Sequence, residues 1–329
     1  MNGSRRRVST LLALAVASTI ALAGCSGSAS PDAGASGDSA AMKVSVGVTP
    51  IPNAAPLYLA EKLGYFTDEN LDVTPQIVAS AGAAVPLLQS GDLQFAEVSS
   101  TPTITATSKG LPLRVVSGDD RYNDDASATD GAALVAAKGS GLTKISELNG
   151  KTVAVVGLKS GPELVMRVAI DQAGGDDSKV KFVEIAYPDM VSALESGRVD
   201  AALITDPFLS QAKEKGLTVI SQPYIDAMPG KAGILWIGSG NWIDQNPEAA
   251  AAFQRAITKA VDYAAENPDA VRDIMSTYTK SSKEAIKATV LPVFDSSITA
   301  DDMKYWADTM LQYGFIDTAY DPSDLIWKP

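Results

Sequence analysis

The stretch Leu87-Leu88-Gln89-Ser90-Gly91-Asp92-Leu93-Gln94-Phe95-Ala96-Glu97-Val98-Ser99 decides the fold. It reads as the end of a helix, a glycine stop and a buried strand closing on a hydroxyl. The same device returns 106 residues later as Ala193-Leu194-Glu195-Ser196-Gly197-Arg198-Val199-Asp200-Ala201-Ala202-Leu203-Ile204-Thr205. Leu, Ser, Gly, an apolar residue, Ala, a branched apolar residue and a hydroxyl fall at matching places, and a proline follows each copy. A helix–glycine–strand corner is common, so one copy alone would say little. Two copies with the same hydroxyl and the same following proline predict two units of like topology.

Strand and helix patterns alternate outward from both copies. Strands are expected at 43–48, 71–78, 93–99 and 113–117, with helices at 54–63, 83–90 and 102–109. The cycle restarts with strands at 152–156, 181–185, 199–205 and 217–221 and helices at 162–173, 189–196 and 207–215. Such alternation predicts an α/β chain built on two mainly parallel sheets flanked by helices. Residues 247–329 read as helical, over 248–266, 269–278, 283–289 and 300–313. Two further apolar runs, 132–137 and 232–238, read as a pair of crossover strands joining the units, an arrangement suited to a hinge over a cleft. The expected division is one lobe of 43–131 with 239–329, and a second of 132–238 that includes the crossover strands.

Composition removes several classes of function. The chain has 329 residues, one cysteine, no histidine and a formal net charge of −12. Without histidine there is no Ser-His-Asp or Cys-His catalysis and no imidazole-ligated metal. One cysteine forms no internal disulfide. An acidic chain is a poor partner for nucleic acid. No histidine-based catalytic residue and no imidazole-ligated metal are therefore expected, and the reading calls for no cofactor.

The first residues carry an address. Arg5, Arg6 and Arg7 precede an apolar stretch from Val8 to Ala21, followed by Leu22-Ala23-Gly24-Cys25. The stretch is short for a membrane span and reads as a signal peptide over 1–24. Leu-Ala-Gly-Cys has the form of a bacterial lipobox, which makes Cys25 a lipid attachment point and the first residue of the exported chain. A plain secretory signal with an incidental cysteine is the alternative, and Ser4-Arg5-Arg6-Arg7 also permits twin-arginine export. Residues 25–42 are mostly small and polar and read as a flexible tether. The expected location is the outer face of the cell membrane.

In open α/β sheets ligands bind beyond the carboxyl ends of the strands. The loops there are rich in hydroxyls, amides, Gly and Pro. Thr101-Pro102 and Asp206-Pro207 each set a capping group before a proline, and Ser160-Gly161-Pro162-Glu163 fits a capping box in which Glu163 reaches back to the Ser160 N–H. Each alone reads as a helix cap; together, on both units, they suggest helix starts converging on a small anion. Lys159 and Arg121 are candidate cations, and Asp119, Asp120 and Asp206 candidate anions. Arg121 could equally pair with its neighbouring aspartates, and Asp119-Asp120 could be only a turn. The functional reading is a zwitterion site, with N–H groups and hydroxyls at the acidic end and a carboxylate at the ammonium end. Tyr58, Tyr122, Tyr187, Phe208, Trp236 and Trp242 lie near these loops; each also reads as packing, and Trp236 is the expected reporter of closure.

Five segments together resemble one family: Ala55-Pro56-Leu57-Tyr58-Leu59-Ala60 with Gly64-Tyr65-Phe66; Leu88 to Phe95; Ser99-Ser100-Thr101-Pro102; Gly150-Lys151-Thr152-Val153-Ala154-Val155; and Leu194 to Ala201. In order and spacing the chain resembles the substrate-binding proteins of nitrate, sulfonate, taurine and thiamine-precursor ABC importers, over roughly residues 43 to 240. The resemblance implies a bilobal type II periplasmic-binding fold without catalysis, working as a monomer with ABC permease and ATPase subunits. It implies ligand contacts from Pro52 and Asn53, from Ser99, Ser100 and Thr101, and from Ser160 and Gly161. Asp206-Pro207 matches a position often acidic or aromatic in relatives, and Asp119 joins the expected set. One relative of this fold makes the thiamine pyrimidine by consuming its own histidine; a chain without histidine cannot.

The expected ligand is a small sulfonate-type anion or zwitterion, with a thiamine-precursor pyrimidine second and nitrate third. A lyase on the same fold would need paired acids of shifted pKa, for which only Asp119, Asp120 and Asp206 are candidates. A surface sensor or adhesion module without a transporter is the third class.

Overall fold

The computed structural model describes residues 40–125 and 127–329. The expected signal peptide, Cys25 and nearly all of the expected tether lie outside the described residues. No described helix is long and apolar enough to cross a membrane.

The strands are β1 (Met42–Val48), β2 (Leu71–Ile77), β3 (Phe95–Ser99), β4 (Leu113–Gly118), β5 (Asp120–Arg121), β6 (Ala132–Ala136), β7 (Thr152–Val155), β8 (Lys181–Glu184), β9 (Ala201–Thr205), β10 (Thr218–Ser221), β11 (Ile234–Ser239) and β12 (Val293–Phe294). They build two five-stranded sheets, ordered β2-β1-β3-β11-β4 and β10-β6-β9-β7-β8. Read from the other edge, the second is β8-β7-β9-β6-β10, the order of the first. The echo in the sequence is therefore an echo in topology. Val46 pairs with Phe95 in the first sheet, as Val153 pairs with Ala201 in the second. Each sheet carries one antiparallel strand, β11 in the first and β6 in the second. The glycines of the echo do what the reading required. Gly91 and Gly197 stand at φ +85° and +68°, left-handed values that an L side chain resists, and each ends its helix before the next strand.

One element lies elsewhere than expected. The apolar pattern places residues 232–238 in the second lobe, but β11 is hydrogen-bonded between β3 and β4 of the first sheet. Its Leu235, Trp236 and Ile237 are fully buried, so this run needs apolar neighbours on both faces, and the centre of a sheet supplies them. The chain instead crosses between sheets through residues 119–131 and 222–233. These two segments pair: Asp119 N–H donates to Ile234 O (3.1 Å), Gly233 N–H to Asp120 O (3.1 Å) and Tyr122 N–H to Lys231 O (2.9 Å). A third segment joins them, since β12 pairs with β5.

Phe253, on the helix Pro247–Glu266, stacks on Phe95 of β3 at 3.9 Å and meets Trp236 of β11 edge-on. The long helix thereby clamps the face of the first sheet. Met190, Leu194 and Leu209 pack with Ala202 and Ile204 of β9 in the second.

Candidate functional site

The two sheets present the carboxyl ends of β1, β3 and β9 to one cavity of about 100 Å³. Pro52 and Asn53 follow β1, Ser99 ends β3, Thr205 ends β9, and the connecting segments contribute Asp120–Tyr122 and Thr129–Ala132. A smaller hollow of about 40 Å³ adjoins it, reached by Thr49, Ser80, Glu97 and Ser160. Ile51, Ser99, Pro162, Tyr187 and Ile234 line both. The larger hollow has room for only a few waters or a compact solute.

The expected residues divide on inspection. Pro52, Asn53 and Ser99 line the cavity, and Ser160 lines the smaller hollow. Ser100 and Thr101 are wholly buried and line neither hollow; their hydroxyls, like that of Ser99, have no partner among the described residues. Gly161 sits where a Cβ would come within 3.0 Å of the Ser99 side chain, so its role is close approach of the two sheets. Asp119 is fully buried and holds protein groups: it accepts from Asn53 Nδ2 (2.8 Å) and from Trp236 Nε1 (2.9 Å). Asp206 accepts from Ser210 N–H and hydroxyl and from Val290 N–H, which stitches residue 290 to the end of β9. Neither aspartate lines a hollow.

The expected helix caps are revised as well. Thr101 lies inside the helix Ser100–Thr107, whose cap position is Ser99, and no side chain caps it. The Ser160–Glu163 box does not form. Ser160 donates to Gly157 O, while Lys159 stands at φ +54° and turns its own N–H to Glu163 Oε2 (2.7 Å). The other Glu163 oxygen is taken by Arg167.

Neither candidate cation is free for a ligand. Arg121 lines the cavity, but its guanidinium is committed to Asp295 (2.7 Å) and to Asp302 (2.8 and 3.0 Å). Its acidic partners are these two, rather than Asp119 or Asp120. Lys159 donates to Gly314 O (2.9 Å) and lies over the Phe315 ring.

Acids dominate instead. Asn53 Nδ2 donates to both Asp119 Oδ2 and Asp120 Oδ2 and so binds two carboxylates into one unit. Asp120 also accepts from Ile234 N–H (2.7 Å). Burial pushes Asp120 up to about 6, against the pull of that N–H, of Asn53 and of Arg121. Burial also raises Asp119 well above its usual range, helped by Asp120 and Glu97. Glu97 is raised to about 8 by burial, although Thr49 donates to it from backbone and hydroxyl. Asp130, unforeseen, lines the cavity and is pushed up to about 6, chiefly by burial.

Glu97 and Asp130 were missing from the expected set. A signal for Glu97 stood in the opening stretch, where its counterpart in the second copy is Leu203: a charge in a strand otherwise built to be buried. Asp130 was hidden in a polar run that reads as a loop. Among the described residues no group of three acids or thiols is arranged to hold a metal.

Comparison with known proteins follows the same lines. The family model described as NMT1/THI5 like matches residues 51–271. The chain is 27% identical over 248 residues to the formylaminopyrimidine-binding protein of Halalkalibacterium halodurans, covering 74% of this chain and 72% of that one. It is 24% identical over 230 residues to the taurine-binding periplasmic protein of Escherichia coli, covering 70% and 69%. Its fold superposes on the alkanesulfonate-binding protein SsuA of Xanthomonas axonopodis pv. citri, bound to MOPS, with a TM-score of 0.74 at 13% identity, over 87% of this chain and 98% of that one.

Proposed function

Because the chain belongs to the NMT1/THI5-like family, we propose that it is the solute-binding receptor of an ABC importer, taking one small solute into the cavity between its sheets. The carrying observation is the cavity itself: it lies beyond the carboxyl ends of parallel strands of two sheets of the same topology, and residues from both line it. In this reading the paired segments 119–131 and 222–233 flex to open and shut the cleft, and Trp236, bonded to Asp119 in the connector, reports the motion. The body of the first lobe, carrying β11, and the body of the second, 132–221, move as units. Cys25 carries a lipid that keeps the receptor at the outer membrane face beside its permease and ATPase partners.

Within this reading the lining favours some solutes over others. A simple anion such as nitrate would sit beside Asp120 and Asp130 with Arg121 already neutralised. A zwitterion of the taurine type, or an amino-bearing pyrimidine, offers donors to those acids, and the pyrimidine adds a face for the tyrosines. The absence of histidine argues against the self-consuming synthesis of the pyrimidine, and the receptor reading involves no catalysis.

The test is a thermal-shift panel of taurine, methanesulfonate, formylaminopyrimidine and nitrate, with mass spectrometry of any molecule released from the purified protein. A solute bound only by the folded state raises the midpoint. The reading expects taurine or the pyrimidine to do so, and a raised midpoint with nitrate alone would reverse the preference. No shift in the panel and no released solute would overturn the receptor reading.

A further inference from the structure

One corner of the cavity sets a carboxylate oxygen without a partner among tyrosine rings. Asp130 ends the first connecting segment and lines the cavity beside Tyr122, Tyr187 and Tyr224. Its Oδ1 accepts from Ala132 N–H (3.1 Å). Its Oδ2 is buried and has no hydrogen-bond partner among the described residues; the Ile225 N–H acts on the carboxylate without reaching bonding geometry. Tyr187 and Tyr224 are only 7% and 8% exposed and line the cavity. Ser99, 6% exposed on the other side, also has an orphaned hydroxyl. The rings of Tyr122 and Tyr224 lie 4.5 Å apart at an angle of 50°.

A buried polar group without a partner costs about 1–3 kcal/mol, and more when charged. Asp130 Oδ2 and Ser99 Oγ are two such groups around one hollow, which makes it complementary to something that fills it. Aromatic faces attract cations, and a carboxylate supplies counter-charge and an acceptor. No cation lining the cavity is available to an anionic group, since Arg121 is held by Asp295 and Asp302.

We propose that Asp130, Tyr122, Tyr187 and Tyr224 form a subsite for a protonated nitrogen of the ligand, an ammonium or amidinium group, with Asp130 Oδ2 as its acceptor. The inference rests on the receptor reading. It holds whether the rest of the ligand is a sulfonate or an aromatic ring, and the probes below come in one pair for each.

The subsite carries a pH signature. Asp130 shares the cavity lining with Asp120 and Arg121 on β5 and with the three tyrosines, while Asp206 lies behind it, its backbone N–H on Gly131 O and its carboxylate on Ser210 and Val290. Burial pushes Asp130 up to about 6, with Asp120 adding to it and the N–H groups of Ala132, Gly131 and Ile225 opposing. A bound cation favours the ionised carboxylate, so affinity falls as pH drops through about 6. Between pH 7.5 and pH 5 the dissociation constant should rise about tenfold.

The experiment is titration calorimetry with taurine against isethionate, and benzylamine against benzyl alcohol; each pair differs in amine versus hydroxyl. In at least one pair the amine should bind about tenfold or more tightly, and its affinity should weaken at pH 5. Asp130→Asn keeps the Oδ1 acceptor for Ala132 and puts an N–H₂ where the orphaned oxygen stood. It should erase the amine preference while leaving the unfolding midpoint near that of the wild type. The pH series on the wild type needs no variant and stands even if the substitution unfolds the chain. Isethionate or benzyl alcohol binding as well as its amine partner overturns the subsite and leaves the receptor reading intact, as does an Asp130→Asn protein with unchanged preference. If none of the four probes binds, the subsite falls, and the solute released from purified protein decides the receptor reading separately.

Discussion

Replacing Asp120 by Asn removes a buried titrating charge while keeping its shape. Asp120 Oδ1 accepts from Ile234 N–H at 2.7 Å, and Oδ2 accepts from Asn53 Nδ2 at 2.9 Å. An asparagine keeps the first bond and sets amide against amide at the second, an offset that does not change with pH. The proton is what changes. Burial lifts Asp120 from an ordinary 3.8 to about 6. The folded chain therefore holds this proton more tightly than the unfolded chain. Its stabilising contribution is whole below about pH 4 and is lost as pH rises to about 6. A gap of about two pH units corresponds to about 3 kcal/mol. The stability difference between wild type and Asp120→Asn should move by about that much, in the variant's favour, between pH 4 and pH 7. Asp119 titrates together with Asp120 through Asn53, so the curve belongs to the pair. Urea unfolding of both proteins at four pH values measures it. A difference constant within about 0.5 kcal/mol, the usual scale of a surface substitution, would refute the argument that burial raises this acid.

Phe253→Ala should cost about 3–5 kcal/mol in unfolding free energy, because its ring is fully buried between Phe95, Phe66 and Trp236; a loss under about 1 kcal/mol would contradict the clamp. Ser99→Ala should weaken solute binding by calorimetry, whereas Ser100→Ala should leave affinity unchanged, since only Ser99 lines the cavity. Ser100→Ala should also not lower the unfolding midpoint, because it deletes a buried hydroxyl without a partner, and the opposite ranking of the two variants would move the ligand away from Ser99. Cys25→Ser should shift the exported protein from the membrane to the soluble fraction on cell fractionation; persistence with the membrane would remove the lipid anchor from the reading.

The architecture was legible where local chemistry decides it. Glycine stops, apolar strands and their repeat at 106 residues gave the alternation and the likeness of the two sheets, and the four helices of the C-terminal part lie close to where their patterns put them. Periodicity identifies a strand but not its neighbours, so the pattern at 232–238 does not distinguish the second sheet from the first, where β11 lies between β3 and β4. The site was half legible. The family resemblance named Pro52, Asn53, Ser99 and Ser160, and these stand at the hollows because each follows or ends a strand of the two sheets. The roles of Asp119 and Asp206 were not, because a carboxylate that binds Trp236 or residue 290 looks the same in sequence as one that binds a solute. Asp130 was missed for the converse reason: its burial is created by Tyr187 and Tyr224, 57 and 94 residues further along the chain and outside any window of sequence.

The position of β11 also sets an order of assembly. The second sheet is complete in one continuous run of chain, from Ala132 to Ser221. The first is not: the one strand beside β4 among the described residues is β11, which is made 116 residues after β4 ends, and the other edge of β4 meets Ile326 and Trp327, later still, so β4 and one edge of β3 stay unpaired until then. A chain emerging from its amino end thus holds an open, apolar sheet edge while the later sheet closes beside it. The earlier-made half of the protein is the later to finish, and its exposed edge in that interval is where a chaperone would be needed.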